Sequence, residues 1–211
     1  MNLQTLINTI KRGVGDIKDY LFTLRKITNK FKTIESSDQL KSFIQERSAY
    51  VTQTTLYGYL KTRMGTRFLP MFEDKVYSNS INIAKWNIYV IALADCTLYV
   101  YSYLVNKKGL KEINAEKVFL EILENEKSNG LDQKLYNGAK LDFEQRLREV
   151  NWNNYYSENP FIKSGQALYK WSPIADELKI LDKEIVLNSI MLKWNLVKNE
   201  FIELTAKFKN I

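Results

Sequence analysis

The chain has 211 residues, long enough for one domain with a substantial core, and its 45% hydrophobic and 26% charged composition is that of a folded protein rather than a disordered one. It contains no histidine and a single cysteine, Cys96. That excludes imidazole acid–base chemistry, Ser-His and Cys-His nucleophiles, an intrachain disulfide and a Cys-based zinc site. The formal net charge of +7 is carried mostly at one end, where Lys11, Arg12, Lys18, Arg25, Lys26, Lys30 and Lys32 stand against only Asp16 and Asp19.

Eight glycines and three prolines leave few breaks, which favours long helices. The expected fold is an all-α, single-domain helical bundle. Residues 1–33 form a basic amphipathic segment, with Leu3, Leu6, Ile7 and Ile10 at helical spacing and, after Gly13 and Gly15, Ile17, Leu21, Leu24, Ile27 and Phe31. This segment is expected to dock on a bundle formed by residues 34–211, with an anionic membrane surface as its alternative partner. It has neither a long apolar core nor a small-residue cleavage site, so a secretory signal is not expected and the location read from the sequence is cytoplasmic, with peripheral membrane contact as the variant.

Glu35-Ser36-Ser37-Asp38 reads as a helix start, opening a helix over 38–64 that Gly65 closes. Around its end Tyr57, Lys61, Arg63 and Arg67 form the densest Arg/Tyr cluster in the chain. Cations there complement the backbone dipole at a helix C-terminus. The alternative is a small anion-binding corner.

The next helix, over 77–105, contains residues 86–105, twenty positions whose only formal charge is Asp95. Twenty apolar residues match the thickness of a bilayer. A central aspartate alone costs about 2.5 to 3.5 kcal/mol on an insertion scale, however, which roughly cancels the gain from the Ile, Leu and Val around it. The segment therefore reads as a central helix buried by other helices. Asp95 is then either a buried structural ion pair, with Arg63, Arg67 or Arg47 as its partner, or the acid of a site built with Lys61, Arg63, Arg67 and Tyr57.

Asn114 is placed as the cap of a helix over 115–127, and a weaker helix follows over 131–150 with Leu135, Ala139, Phe143, Leu147 and Val150 inward. Residues 151–159 read as a loop in which Trp152, Tyr155 and Tyr156 are anchors or a partner-binding patch. Residues 161–171 give a short helix interrupted by Gly165, and Ser172-Pro173 reads as the start of a long C-terminal helix over 173–208. In that helix Leu187, Ile190, Trp194, Val197, Phe201, Leu204 and Phe208 form a heptad seam, expected to pack within the bundle more than between copies. A second stripe runs along Ile174, Leu178, Leu181, Ile185 and Leu192.

No phosphate loop, dinucleotide fingerprint or nucleophile elbow is present in the sequence. Glu121 and Glu124 sit on a wet acidic face rather than in a metal site, and nucleic-acid binding is not expected. No cofactor is implied. The leading functional expectation is a non-enzymatic protein working through protein–protein contacts or self-association, with Trp194, Phe201, Phe208, Trp152, Tyr155 and Tyr156 as the candidate surface. The alternatives are membrane association through residues 1–33 and a small-molecule site or enzyme around Asp95.

Overall fold

The computed structural model describes residues 32–208. The expectations for the basic amphipathic segment fall on residues 1–31, outside the described residues. Within them the chain is all-α, six helices packing around one hydrophobic core: α1 (Ser37–Met64), α2 (Lys75–Lys108), α3 (Ala115–Lys127), α4 (Gln133–Glu149), α5 (Ile162–Trp171) and α6 (Asp176–Leu204). Single helical turns at Gly65–Arg67 and Phe68–Met71 link α1 to α2.

α1 starts where its capping signal stands. Ser36 Oγ accepts from the Gln39 amide at 3.2 Å, and Gln39 Oε1 accepts in return from the Ser36 amide at 3.1 Å, which satisfies two of the donors a helix start leaves free. Asp74 does the same for α2 by accepting from the amides of Val76 and Tyr77. At its other end Gly109 adopts φ 69°, and the Leu110 amide reaches back to the Leu104 carbonyl at 3.1 Å. Only a residue without a Cβ takes that left-handed turn cheaply.

α2 is the axis of the bundle. α1 and α5 pack most closely on it, joined by α3, α4 and the turn at Tyr155–Ser157, while α6 closes the other side of α1 and α5. From Tyr99 to Leu104 every side chain of α2 is buried, on all faces of the helix. By length and composition α2 could cross a membrane, but the other helices bury most of its apolar window. The ring stack between Phe119 and Phe143, centroids 3.8 Å apart, ties α3 to α4. Gly165 sits where α5 presses against α6. A Cβ there would come within 3.3 Å of Leu187 Cδ2, so the glycine that weakens α5 as a helix is what lets it approach.

The Ser172-Pro173 pair ends α5 instead of opening α6, which begins at Asp176. A proline drives the preceding residue out of the helical region, and Ser172 is extended at ψ 127° while its hydroxyl donates back to Leu168 at 2.7 Å. At the far end α6 stops at Leu204, whose carbonyl accepts from the Ile34 amide at 3.0 Å. Ile190, Trp194, Val197, Phe201 and Leu204 of the heptad seam are buried inside this chain, with Val186 and Asp182 continuing the buried face upstream.

Cys96 is enclosed on α2, and burial pushes its thiol up to about 12, partly opposed by Ser48. Thiolate is the reactive form. Native protein at neutral pH should therefore resist a soluble thiol reagent, with labelling only at the rate of global unfolding. Rapid stoichiometric labelling of folded protein would show that α2 opens locally.

Candidate functional site

Asp95 lies at the middle of α2 with none of its surface exposed. Both carboxylate oxygens are engaged. Oδ1 accepts from Arg146 Nη2 of α4, and Oδ2 accepts from the backbone amide of Ser164 at 2.8 Å. Arg146, itself only 6% exposed, also donates to the Tyr155 hydroxyl at 3.0 Å. Tyr155 in turn donates to the Pro160 carbonyl at 3.0 Å. The other guanidinium nitrogen, Nη1, is buried without a hydrogen bond, 3.9 Å from the Asp142 carboxylate.

Ser164 belongs to the first turn of α5, and the residue in the capping position there is Phe161, whose side chain has nothing to offer the free amides. Asp95 supplies the missing acceptor from another helix, at the positive end of the α5 dipole. The Ser164 hydroxyl donates to the Phe161 carbonyl at 2.9 Å and accepts from Trp194 Nε1 at 2.9 Å. One carboxylate thus joins α2, α4 and α5, and the adjoining serine carries the link to α6.

Burial pushes the Asp95 carboxyl above its ordinary range, against the opposing pull of Arg146 and the Ser164 amide. Burial lowers the Arg146 value, but Asp95 and Tyr155 outweigh it and leave the guanidinium more firmly protonated than usual. A groove of about 420 Å³ between α2, α4 and α5 is lined by Asp142, Lys163, Gln166 and Trp171 among others, and Asp95 and Arg146 are absent from its walls. With both oxygens bonded and none of its surface exposed, Asp95 has the geometry of a structural pin.

The partner differs from those expected from sequence. Arg47 pairs with Glu200, and Arg63 pairs with Asp182, which also accepts from Tyr59 at 2.8 Å. Lys61 and Arg67 are exposed, and Tyr57 is half-buried beside Phe72 with ring centroids 6.1 Å apart. The corner around Tyr57, Lys61, Arg63 and Arg67 therefore does not supply the partner of Asp95, and its Arg63 bridges to α6 instead. Ala139, Phe143 and Arg146 follow one another by four and three residues, so Arg146 occupies an apolar-face position of α4. That placement was the available signal for a buried arginine.

The residues proposed as an interaction surface are largely spent within the fold. Trp194 and Phe201 are fully buried. Phe208, Trp152, Tyr155 and Tyr156 are half-buried, and Ser102 pins the loop that carries the last three, donating to the Trp152 carbonyl at 2.8 Å and accepting from the Tyr156 amide at 2.9 Å. The second stripe of α6 is open to solvent. Leu181 is 75% exposed, Ile185 69% and Leu192 65%. No group of three or more acidic or cysteine side chains suited to a metal ion occurs among the described residues. The chain matches no protein-family model, and neither a curated protein nor a solved structure is similar to it.

Proposed function

We propose that this protein is a non-enzymatic helical subunit that self-associates through the outer face of α6. The observation that carries the reading is a repeat on the solvent side of that helix. Leu178, Leu181, Ile185, Asn188, Leu192, Asn195, Asn199 and Ile202 advance by 3, 4, 3, 4, 3, 4 and 3, and all eight are exposed. This is the spacing of a coiled-coil seam, and it runs along a helix of roughly 43 Å.

A second copy of the same chain is the occupant that fits best. Three asparagines in an apolar seam cost stability against an apolar partner, whereas an identical helix in parallel register sets each asparagine opposite its own copy. The same register brings Lys198 of one helix beside Glu203 of the other, at flanking positions where opposite charges set orientation. The seam is narrow, and its polar positions make the association reversible rather than permanent.

Sedimentation equilibrium of the full chain tests this. The wild type is expected to dimerise with rising concentration, and the Leu181→Glu/Leu192→Glu variant to stay monomeric, with the wild type's melting temperature at concentrations where the wild type too is monomeric. A wild type that is monomeric throughout overturns the proposal. So does a monomeric wild type whose melting temperature falls on the double substitution, since the stripe would then be covered from within its own chain.

A further inference from the structure

A second cavity, of about 240 Å³, opens between α1, α2 and the end of α3 and is lined by Thr52, Gln53, Lys85, Trp86, Glu126 and Asn129, among others. Three features of its lining are unusual for a plain surface dimple. Glu126 is only 7% exposed. Its Oε1 accepts from Tyr89 and Gln45, each at 2.8 Å, while among the described residues Oε2 accepts from Asn129 alone at 2.9 Å. One acceptor direction on Oε2 is left over.

Lys85 is half-buried with its ammonium 4.6 Å from the Trp86 ring centroid, and it makes no ion pair and no hydrogen bond among the described residues. Thr52 is wholly buried, and its hydroxyl has no hydrogen-bond partner. Other buried threonines behave differently. Thr55, Thr97 and Thr205 each donate to the carbonyl four residues back, at 2.7, 2.8 and 2.6 Å, which is the usual fate of a helical threonine.

The lining thus holds one cation that Glu126 attracts without a direct ion pair, one carboxylate with spare acceptor capacity and one buried, unmatched hydroxyl. A simple anion would meet the charge of Glu126, and a simple cation would meet Lys85. A molecule carrying both charges a few bonds apart satisfies the two together. The volume corresponds to about eight waters at ~30 Å³ each, which is the scale of a small organic acid and below the ~300–1,000 Å³ of drug-sized sites.

We propose that this cavity binds a small zwitterionic amino acid, its carboxylate on Lys85 and its ammonium on Glu126 Oε2, with Trp86 as the apolar wall. Burial already holds the Lys85 amine below its ordinary value, a displacement that the attraction of Glu126 offsets only in part. An arriving carboxylate supplies what Glu126 does not.

The test is a titration of the isotopically labelled full chain followed by NMR, with alanine as the probe and acetate and methylamine as its single-charge fragments. Alanine is expected to give saturable shifts confined to the Trp86 indole and to the backbone near residues 49–53, 85–89 and 126–129. Acetate and methylamine should bind at least tenfold more weakly. Lys85→Met, at the cavity mouth and outside every hydrogen bond of the core, should keep the native spectrum and lose at least tenfold in alanine affinity. No saturable shift with alanine overturns the proposal, as do equal affinities for alanine and acetate, or alanine binding that survives Lys85→Met.

Discussion

Asp95→Ala is expected to destabilise the protein by about 3–5 kcal/mol, because it strands the Arg146 guanidinium in the core without a counter-ion. The same substitution removes the acceptor that caps α5, a loss of about 1 kcal/mol within that total. Arg146→Ala should cost a similar amount by leaving the carboxylate to Ser164 alone. The pair Asp95→Leu/Arg146→Met should nevertheless be far more stable than either single variant, within about 2 kcal/mol of wild type, since well-packed apolar residues commonly replace a buried ion pair at little cost.

The titration behaviour of Asp95 supports that asymmetry. Its carboxyl binds a proton more readily in the folded protein than in the unfolded chain. Its contribution to folding is therefore most favourable at acid pH and is lost as pH rises through the folded value. At neutral pH the pair contributes position more than net stability: it fixes how α4 and α5 sit on α2. Denaturant midpoints at constant slope of the wild type, Asp95→Leu, Arg146→Met and the double variant close the cycle and give the coupling energy. Additive single-variant losses would mean that the two residues do not act as a pair.

The bundle was legible in the sequence where local rules and burial agree. Glu35-Ser36-Ser37-Asp38 at the start of α1 and Gly65 at its end bound a helix whose apolar face already points to one core. The start of α6 was misplaced because Ser172-Pro173 satisfies two rules at once, as a cap for the next helix and as a stop for the last. The Ser172 hydroxyl bonds back to Leu168 of α5, and the next helix begins only at Asp176.

The partner of Asp95 was hidden for a different reason. Proximity in sequence and density of charge pointed to the corner near Arg63, yet ion pairs follow the helix that packs nearest. A lone arginine on an apolar face, such as Arg146, carries more information than a cluster on a wet one. Likewise the two stripes of α6 were visible, but which of them faces the core depends on the large residues Trp194 and Phe201 filling space beside Phe161 and Tyr99.

Trp194→Ala should cost about 3–5 kcal/mol, the usual range for emptying a buried aromatic site. Trp194 is fully buried and stacks on Phe161 with ring centroids 4.1 Å apart and planes 9° apart. Trp194→Phe separates packing from hydrogen bonding. It keeps most of the ring contact and loses the bond to Ser164, and should cost roughly 1–2 kcal/mol. Because Trp194 holds the Ser164 hydroxyl while Asp95 holds its amide, the two act on one turn of α5. Once either is gone that turn has already loosened, so the combined Asp95→Ala/Trp194→Ala loss should fall short of the sum by about 0.5 kcal/mol or more. Chemical denaturation of the single and double variants measures it. A strictly additive result would place the two anchors in independent units, and the chain of contacts from α2 through Ser164 to α6 would then not act as one.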